Sequence, residues 1–319
     1  MSVDSSAGVD VTVGIVTVTF NSGTVLPEFL DSIAAQVSGR IKVRLYAIDS
    51  GSSDNSLKIL KSYEDEIDLV IVPNETNIGI AVGNNQGIVR AIQDGMDWVL
   101  TLNNDTVVPP TAVQDLVQEA EEHNLDVVSP LIEATEPAGS IWYAGGDIVR
   151  WQGMKPTHEF AGENMSHAPQ MLRPVAYAST CCLLVNPRVF EKVGLMDPIY
   201  FVYFDDIDFA IRVVDAGFQF WLTPVKVILH KASSLTGGPD SPFFVRWRTR
   251  NWVVIARKHS KSLATLVALA YIQSWILARL VVGRDNWPTW KLRQKSFAEG
   301  LRVSIMKNPP RVDVGAPRT

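Results

Sequence analysis

A chain of 319 residues with 46% hydrophobic and 20% charged residues can bury one large core, which excludes an intrinsically disordered protein. The net charge of −5 hides an asymmetry: residues 241–319 hold 15 Lys/Arg against 3 Asp/Glu (+12), and the preceding 240 hold 14 against 31 (−17). The acidic body and the lack of any nucleic-acid motif speak against a nucleic-acid partner. The two cysteines, Cys181 and Cys182, are adjacent; neighbours in a strand face opposite ways, so they offer neither a mutual disulfide nor a metal spacing.

In chain order, Val11–Phe20 is a β-rich run. Apolar residues Leu26, Phe29, Leu30, Ile33 and Ala34 then recur at helical spacing. Val43–Ile48 predicts a second strand, Ser56–Tyr63 a short helix, Leu69–Val72 a third strand and Gly83–Asp94 a helix. Trp98–Leu102 predicts a fourth strand and Ala112–Glu122 a helix with an acidic outer face. Short β-branched strands alternating with helices predict an α/β fold: a Rossmann-like, mostly parallel sheet with helices on both faces. Beyond Val127 the pattern loosens, and Pro130–Gln170 predicts loops with short strands. Val175–Val185 is strand-like, Pro187 opens a short helix, and Phe218–Leu222 and Lys226–Leu229 predict two more strands.

The last quarter interleaves its basic residues with Trp247, Trp252, Trp275, Trp287 and Trp290, a pattern suited to an anionic membrane surface. Within it, Leu263–Val282 is broken by Gln273, Ser274 and Arg279, which predicts an interfacial or buried helix rather than a span. The opening MSVDSSAGVD has neither the basic nor the apolar region of a signal peptide, so a reduced, cytoplasmic location is expected. Disorder is expected only at the ends, about Met1–Asp10 and from Asn308 on.

Ligands of parallel sheets bind beyond the carboxyl ends of the strands. Here those ends run into Thr19-Phe20-Asn21, Asp49-Ser50-Gly51-Ser52-Ser53-Asp54, Asn74-Glu75-Thr76-Asn77-Ile78-Gly79 and Asn103-Asn104-Asp105. Together they form a rim of hydrogen-bonding groups from four loops, able to hold a base, a ribose and a diphosphate. Farther on, Asp205-Asp206-Ile207-Asp208 clusters three carboxylates at a helix start, where the helix dipole favours negative charge.

With VTVTFNS, IDSGSSDNS, NETNIGIAVGNNQGI, VLTLNNDT, YFDDIDFAIRVVDAG, ILHKASS and RWRTRN in this order, the chain from Val11 to Arg257 resembles the inverting family 2 glycosyltransferases of the GT-A fold. Within them it is most similar to the rhamnosyltransferase-like branch that builds bacterial cell-surface glycans. The resemblance implies a nucleotide-sugar half over residues 10–130, an acceptor and catalytic half over 131–240, and a basic, Trp-rich helical region over 241–319. On the donor side it implies Thr19, Asn21, Asp49 near the nucleobase, Asn77 and Gly79 along the nucleotide, and Asn103 and Asn104. Asp54 either marks the following loop of the donor site or caps the helix after it, and Asn84 and Asn85 either reach the nucleotide or pack within their helix.

In the family, the position of Asn103-Asn104-Asp105 carries an acidic metal motif; here Asn103 replaces its first acid, leaving Asp105 as the carboxylate. The resemblance implies Mg²⁺ or Mn²⁺ at Asp105, completed by His230, which otherwise reads as a hydrogen-bonded histidine at a strand end. It also implies Asp206 as general base with Asp205 beside it, because two close carboxylates raise one pKa. Asp208 is expected to brace the loop, with Arg212 one turn on as its partner. Trp142 and Tyr143 either shape the acceptor side or pack the core. Val245-Arg246-Trp247 lacks the Gln of the processive synthases' Gln-x-x-Arg-Trp signature, so a single addition is expected. The best donor is a dTDP-rhamnose, with UDP-galactofuranose or another UDP-hexose as alternative, and the acceptor a polyprenyl-linked or cell-wall glycan on the inner face of the membrane. A nucleotidyltransferase would need a Gly-rich basic loop after the first strand, which Val18–Ser22 lacks; a non-catalytic nucleotide-sugar binder is the remaining alternative.

Overall fold

The computed structural model describes residues 11–36, 39–231, 238, 240–306 and 309–311. The two ends expected to be disordered, apart from 309–311, and the Ser233-Ser234 part of the ILHKASS motif lie outside them.

The first half alternates as predicted: β1 (Val11–Thr19), α1 (Leu26–Ala34), β2 (Ile41–Asp49), α2 (Ser56–Ser62), β3 (Leu69–Pro73), α3 (Gly79–Gln93), β4 (Trp98–Leu102), β5 (Thr106–Val107) and α4 (Ala112–Glu122). β1 pairs in parallel with β2 and β4, and β2 with β3. In α1, Ala34 at the end of the apolar stripe read from the sequence is exposed, while Leu26, Phe29, Leu30 and Ile33 of that stripe are buried in the core. Each such side chain stabilises the fold by roughly 1.5–3 kcal/mol.

The second half is β6 (Val127–Ala134), β7 (Ser140–Tyr143), β8 (Gly146–Val149), β9 (Lys155–His158), β10 (Arg173–Val175), β11 (Cys182–Val185), α5 (Pro187–Val193), α6 (Asp205–Asp215) and β12 (Phe220–His230). Here the pairing is mixed. β11 lies antiparallel between β4 and β6, while β6 and β12 are parallel, giving the order β10-β12-β6-β11-β4-β1-β2-β3.

Three expectations change in this half. The loops with short strands expected over Pro130–Gln170 hold for β7, β8 and β9, but the region begins inside the buried strand β6, in which Pro130 stands opposite Thr223. The two strands expected on either side of Pro224 are one strand, β12, whose register shifts between Thr223 and Val227. Pro130 and Pro224 both lack an N–H, so the ladder loses bonds there and a bulge absorbs the mismatch. Lastly, the single strand expected over Val175–Val185 is two, and the residues between them, Ala176–Cys181, turn out to floor a cleft.

The chain from Pro242 to Arg302 folds back on the body as α7 (Pro242–His259), α8 (Leu263–Val281) and α9 (Trp287–Arg302). Val253, Val254, Ile255 and Ala256 of α7 are fully buried in the main core, so this helix is part of the catalytic body. α9 is tied to it by Arg257, which donates to the carbonyls of Gly300 and Val303. α8 buries only Ala268, Ile272 and Ile276, so it is not the buried helix that was one of the two expectations; its outer face exposes Leu263, Leu266, Val267, Leu277 and Val281.

Candidate active site

A cleft of about 840 Å³ opens where the carboxyl ends of β1, β2, β4 and β12 meet the start of α6 and the first turns of α7. Ser50, Asn77, Gly79, Asn103, Asn104 and Asp105 line one side, Asp205 and Asp206 another, with His230 and Trp142 between.

On the rim of the parallel half, loops are cross-tied before any ligand arrives. Asn77 Oδ1 accepts from the Ser50 hydroxyl (3.1 Å) and the Gly79 N–H (3.0 Å). Gly79 has φ +77°, and a Cβ there would lie 2.4 Å from the Phe201 carbonyl oxygen. Ile80 N–H donates to that same carbonyl (2.7 Å), so the glycine is required for the N-terminus of α3 to dock on the segment preceding the acidic pair. That contact also begins α3 at Gly79, four residues before the expected start. Asn104 Nδ2 donates to the Val18 carbonyl and the Ser22 hydroxyl (both 2.9 Å), fixing the β4 loop against β1.

Other donor-side candidates lie behind the lining. Asp49 is fully buried, one oxygen accepting from the Thr19 hydroxyl (3.1 Å) and the other from Ser52 N–H (3.0 Å). Asp54 accepts from the N–H groups of Ser56 (2.9 Å) and Gly23 (3.0 Å), tying the β1 loop to the start of α2, whose cap position is Asn55. Asn21 Oδ1 accepts from Ser53 N–H (2.9 Å), joining the β1 and β2 loops. Asn85 is closed onto Met196 by two hydrogen bonds, donating to its carbonyl (2.8 Å) and accepting from its N–H (2.9 Å). Thr19, Asn21, Asp49, Asp54 and Asn85 therefore support the cleft and do not line it in this structure, whereas Asn84 does.

Asp105 and His230 are both buried, and β5 pairing with the end of β12 brings them together: His230 Nε2 is 3.2 Å from Asp105 Oδ1. The Trp142 ring meets the His230 ring edge-on at 4.3 Å. Among the described residues, His230 Nδ1 is buried without a hydrogen-bond partner. One carboxylate oxygen and one imidazole nitrogen 3.2 Å apart suit two adjacent positions in the shell of a divalent cation, and the donor diphosphate would have to supply others. Among the described residues, the group of three close carboxylate and imidazole ligands, Glu119, Glu122 and His123 at the end of α4, has no member in the cleft lining.

The acidic pair opens α6 after a strained turn: Tyr203 and Phe204 are consecutive non-glycine residues with φ +65° and +69°. Such backbone costs about 1–3 kcal/mol per residue and persists only where neighbours impose it. The neighbour here is Asn251 of α7, fully buried, whose Nδ2 donates to the carbonyls of Val202 (2.8 Å) and Tyr203 (3.0 Å). Arg250 donates to the Ile199 carbonyl (2.8 Å), holding the same segment from the adjoining position.

Burial, and then the neighbouring charge of Asp206, raises the Asp205 pKa to about 8; its Oδ2 has no hydrogen-bond partner among the described residues. Burial also raises Asp206, to about 6, opposed by the Ile207 N–H it accepts (2.8 Å) and by the charge of Arg248. Both carboxyls are thus held above the usual carboxylate range, Asp205 the more strongly because the Asp206 charge adds to its burial, and the pair gives up its protons in separate steps. Asp208 differs. Burial acts upward on it, but His259, Arg212 and Lys258 hold it far below the usual carboxylate range. Its oxygens lie 2.7 Å from Lys258 and His259 and 2.9 Å from Arg212, the bracing role and the partner expected for it.

Several cleft residues escaped the sequence reading. Tyr177, His158 and Arg248 all line it, as does Phe244. His158 Nδ1–H donates to the Trp142 carbonyl (3.0 Å), which leaves Nε2 to accept from the Tyr177 hydroxyl (2.5 Å), and burial lowers the His158 pKa so the ring stays neutral. Arg248 lies within RWRTRN but carries no signal separating it from the other arginines there. Tyr143, by contrast, is core, its hydroxyl donating to the Tyr177 carbonyl (2.7 Å).

A sheet with its nucleotide-sized cleft at the strand ends, faced by an acidic pair and a carboxylate–imidazole pair, is the architecture of a GT-A glycosyltransferase. The family described as Glycosyl transferase family 2 matches residues 14–194, and the chain belongs to it. Among its relatives is the N-acetylglucosaminyl-diphospho-decaprenol L-rhamnosyltransferase of Mycobacterium tuberculosis, 25% identical over 77% of this chain and 84% of that one. Another is the galactofuranosyltransferase GlfT1 of the same organism, 24% identical over 86% and 91%. The fold is shared with the crystal structure of GalNAc-T7 with UDP, GalNAc and Mn²⁺: TM-score 0.62 at 15% identity, covering 91% of this chain and 56%, just over half, of that longer one.

Proposed function

We propose that the protein is an inverting glycosyltransferase that moves one sugar from a nucleotide-sugar to a hydroxyl of a lipid-linked glycan. The observation that carries the reading is the acidic pair that opens α6, two adjacent carboxyls lining the same cleft as Asp105 and His230. Asp206 takes the proton of the acceptor hydroxyl as that oxygen forms its bond to the anomeric carbon. The bond from that carbon to the diphosphate oxygen breaks on the opposite face, and the nucleoside diphosphate leaves with the electron pair. Asp205 keeps its proton and so adds no second negative charge beside the base.

Ser50, Asn77, Asn103 and Asn104 hold the donor, on a rim braced by Thr19, Asn21, Asp49, Asp54 and Asn85. Asp105 and His230 would hold Mg²⁺ or Mn²⁺, which when bound supplies positive charge to the departing diphosphate. Rhamnose from a dTDP-sugar is the first choice of donor, supported by the L-rhamnosyltransferase relative. The galactofuranosyltransferase relative supports the alternative, a UDP-sugar. The acceptor class follows from the rhamnosyltransferase's diphospho-decaprenol substrate, and from α8. That helix is long and apolar enough to cross a membrane, with 19 residues and a mean hydropathy of 1.6. One side of it packs on the protein, and its outward side joins exposed Trp287. In this reading the helix lies in the inner membrane surface beside the lipid-linked acceptor.

The experiment is a thermal-shift screen of dTDP-, UDP- and GDP-sugars with and without Mn²⁺ or Mg²⁺. Metal-dependent stabilisation by dTDP-rhamnose is expected. A shift with a UDP-sugar alone moves the donor assignment, and no shift with any nucleotide removes the transferase reading.

A further inference from the structure

Most cations of α7 and α9 already have a partner. Arg246 pairs with Glu299, Arg293 with Asp285, Lys258 with Asp197 and Asp208, and Arg257 with two carbonyls. Among the described cations of α7, Arg248 is the exception. It lines the cleft half-buried, and among the described residues it makes neither an ion pair nor a hydrogen bond; its guanidinium lies 5.4 Å from the centre of the Phe244 ring. A cation held against an apolar wall with no carboxylate in direct contact is costly, so such a site suits an anion that arrives with a ligand. The planar fork of a guanidinium matches a phosphate.

We propose that Arg248 binds the phosphate of a phosphate-linked acceptor, next to the base Asp206; the proposal rests on the acceptor class given above. Two observations favour acceptor over donor. The charged and polar groups electrostatically linked to Arg248 include Tyr177, Tyr203, Arg293 and Asp206, the proposed base. It also stands on α7, the helix that leads directly into exposed α8, whereas the proposed donor groups stand on the β1–β4 loops. In a diphospho-linked sugar, the phosphate is joined to the anomeric carbon of the ring that bears the attacking hydroxyl. One sugar ring then separates Asp206's proton from Arg248's anion.

The test is binding of two probes by calorimetry without donor: a short-chain prenyl diphospho-N-acetylglucosamine, and the octyl glycoside of the same sugar. UDP and dTDP are titrated in parallel. The wild type is expected to prefer the diphosphate probe at least tenfold, Arg248→Ala to lose that preference, and Arg248→Lys to regain part of it, with nucleotide binding unchanged. A preference that survives Arg248→Ala overturns the proposal and leaves the acceptor class standing. Nucleotide binding that falls in step reassigns the guanidinium to the donor. Nucleotide binding with neither probe bound by the wild type overturns the proposal together with the acceptor class.

Discussion

Replacing Asn251 by leucine tests whether α7 holds the catalytic turn in place. The side chain is fully buried and has the branched skeleton of leucine, so the substitution removes hydrogen bonds without opening a cavity, at the cost of some crowding by the larger methyl groups. It leaves the carbonyls of Val202 and Tyr203 without their donor. Each buried group left unpaired costs about 1–3 kcal/mol, and the added apolar contact offsets part of this, so a net loss of about 3 kcal/mol is expected. For a chain of this size that lowers Tm by roughly 6 °C. The effect on rate is larger than stability alone implies. Without the clamp, Tyr203 and Phe204 relax from their left-handed backbone, which turns Asp206 out of line; a displacement of about 1 Å can cost on the order of 100-fold in rate. Differential scanning calorimetry and steady-state kinetics, run well below Tm, measure both. The expectation is a kcat about 100-fold down with the donor KM little changed. A variant that loses the stability yet keeps kcat within threefold would show that the turn holds itself, and the argument from strain would fail.

The remaining predictions concern the acidic pair and the outer helix. Asp206→Asn should lower kcat on the order of 100-fold or more while nucleotide affinity persists, as judged by kinetics and calorimetry. In the wild type, kcat/KM should fall as pH drops through about 6, where Asp206 takes up its proton; a profile flat to pH 5 would remove it as base. Because the folded protein raises Asp205 from 3.8 to about 8, it binds that proton more tightly than the unfolded chain, and stability falls as pH rises across the interval. The Tm gain of Asp205→Asn over wild type should therefore be larger at pH 8.5 than at pH 5, and an equal gain at both would contradict the shift. Leu266→Asp with Val281→Asp, both on the exposed face of α8, should weaken sedimentation with anionic vesicles tenfold or more at unchanged Tm. Truncation after residue 260 is a poorer test, because it strips Arg257 of its α9 partners and exposes the face of α7 that α9 covers.

Periodicity in the sequence was enough to find β1, α1, β2, α2, β3, α3, β4 and α4, because these elements carry their burial pattern locally, whereas β5 exists through its pairing with distant β12. The α1 stripe is an example. The order of motifs likewise pointed to Asp206, Asp105 and His230, and to the pairing of Asp208 with Arg212 one helical turn apart. What tertiary structure decided was everything set by distant pairing. Pro130 looks like a strand breaker until β12 bulges opposite it. Asp49 and Asn85 have the chemistry of ligand-binding groups, but Thr19, Ser52 and Met196 use that chemistry first. Nothing local marks Asn251 as the clamp of a turn 48 residues earlier, or Arg248 as the unpaired one among the arginines of α7. Sequence fixes which groups a residue offers. Which of them remain available to a ligand depends on the partners that folding brings within hydrogen-bond distance.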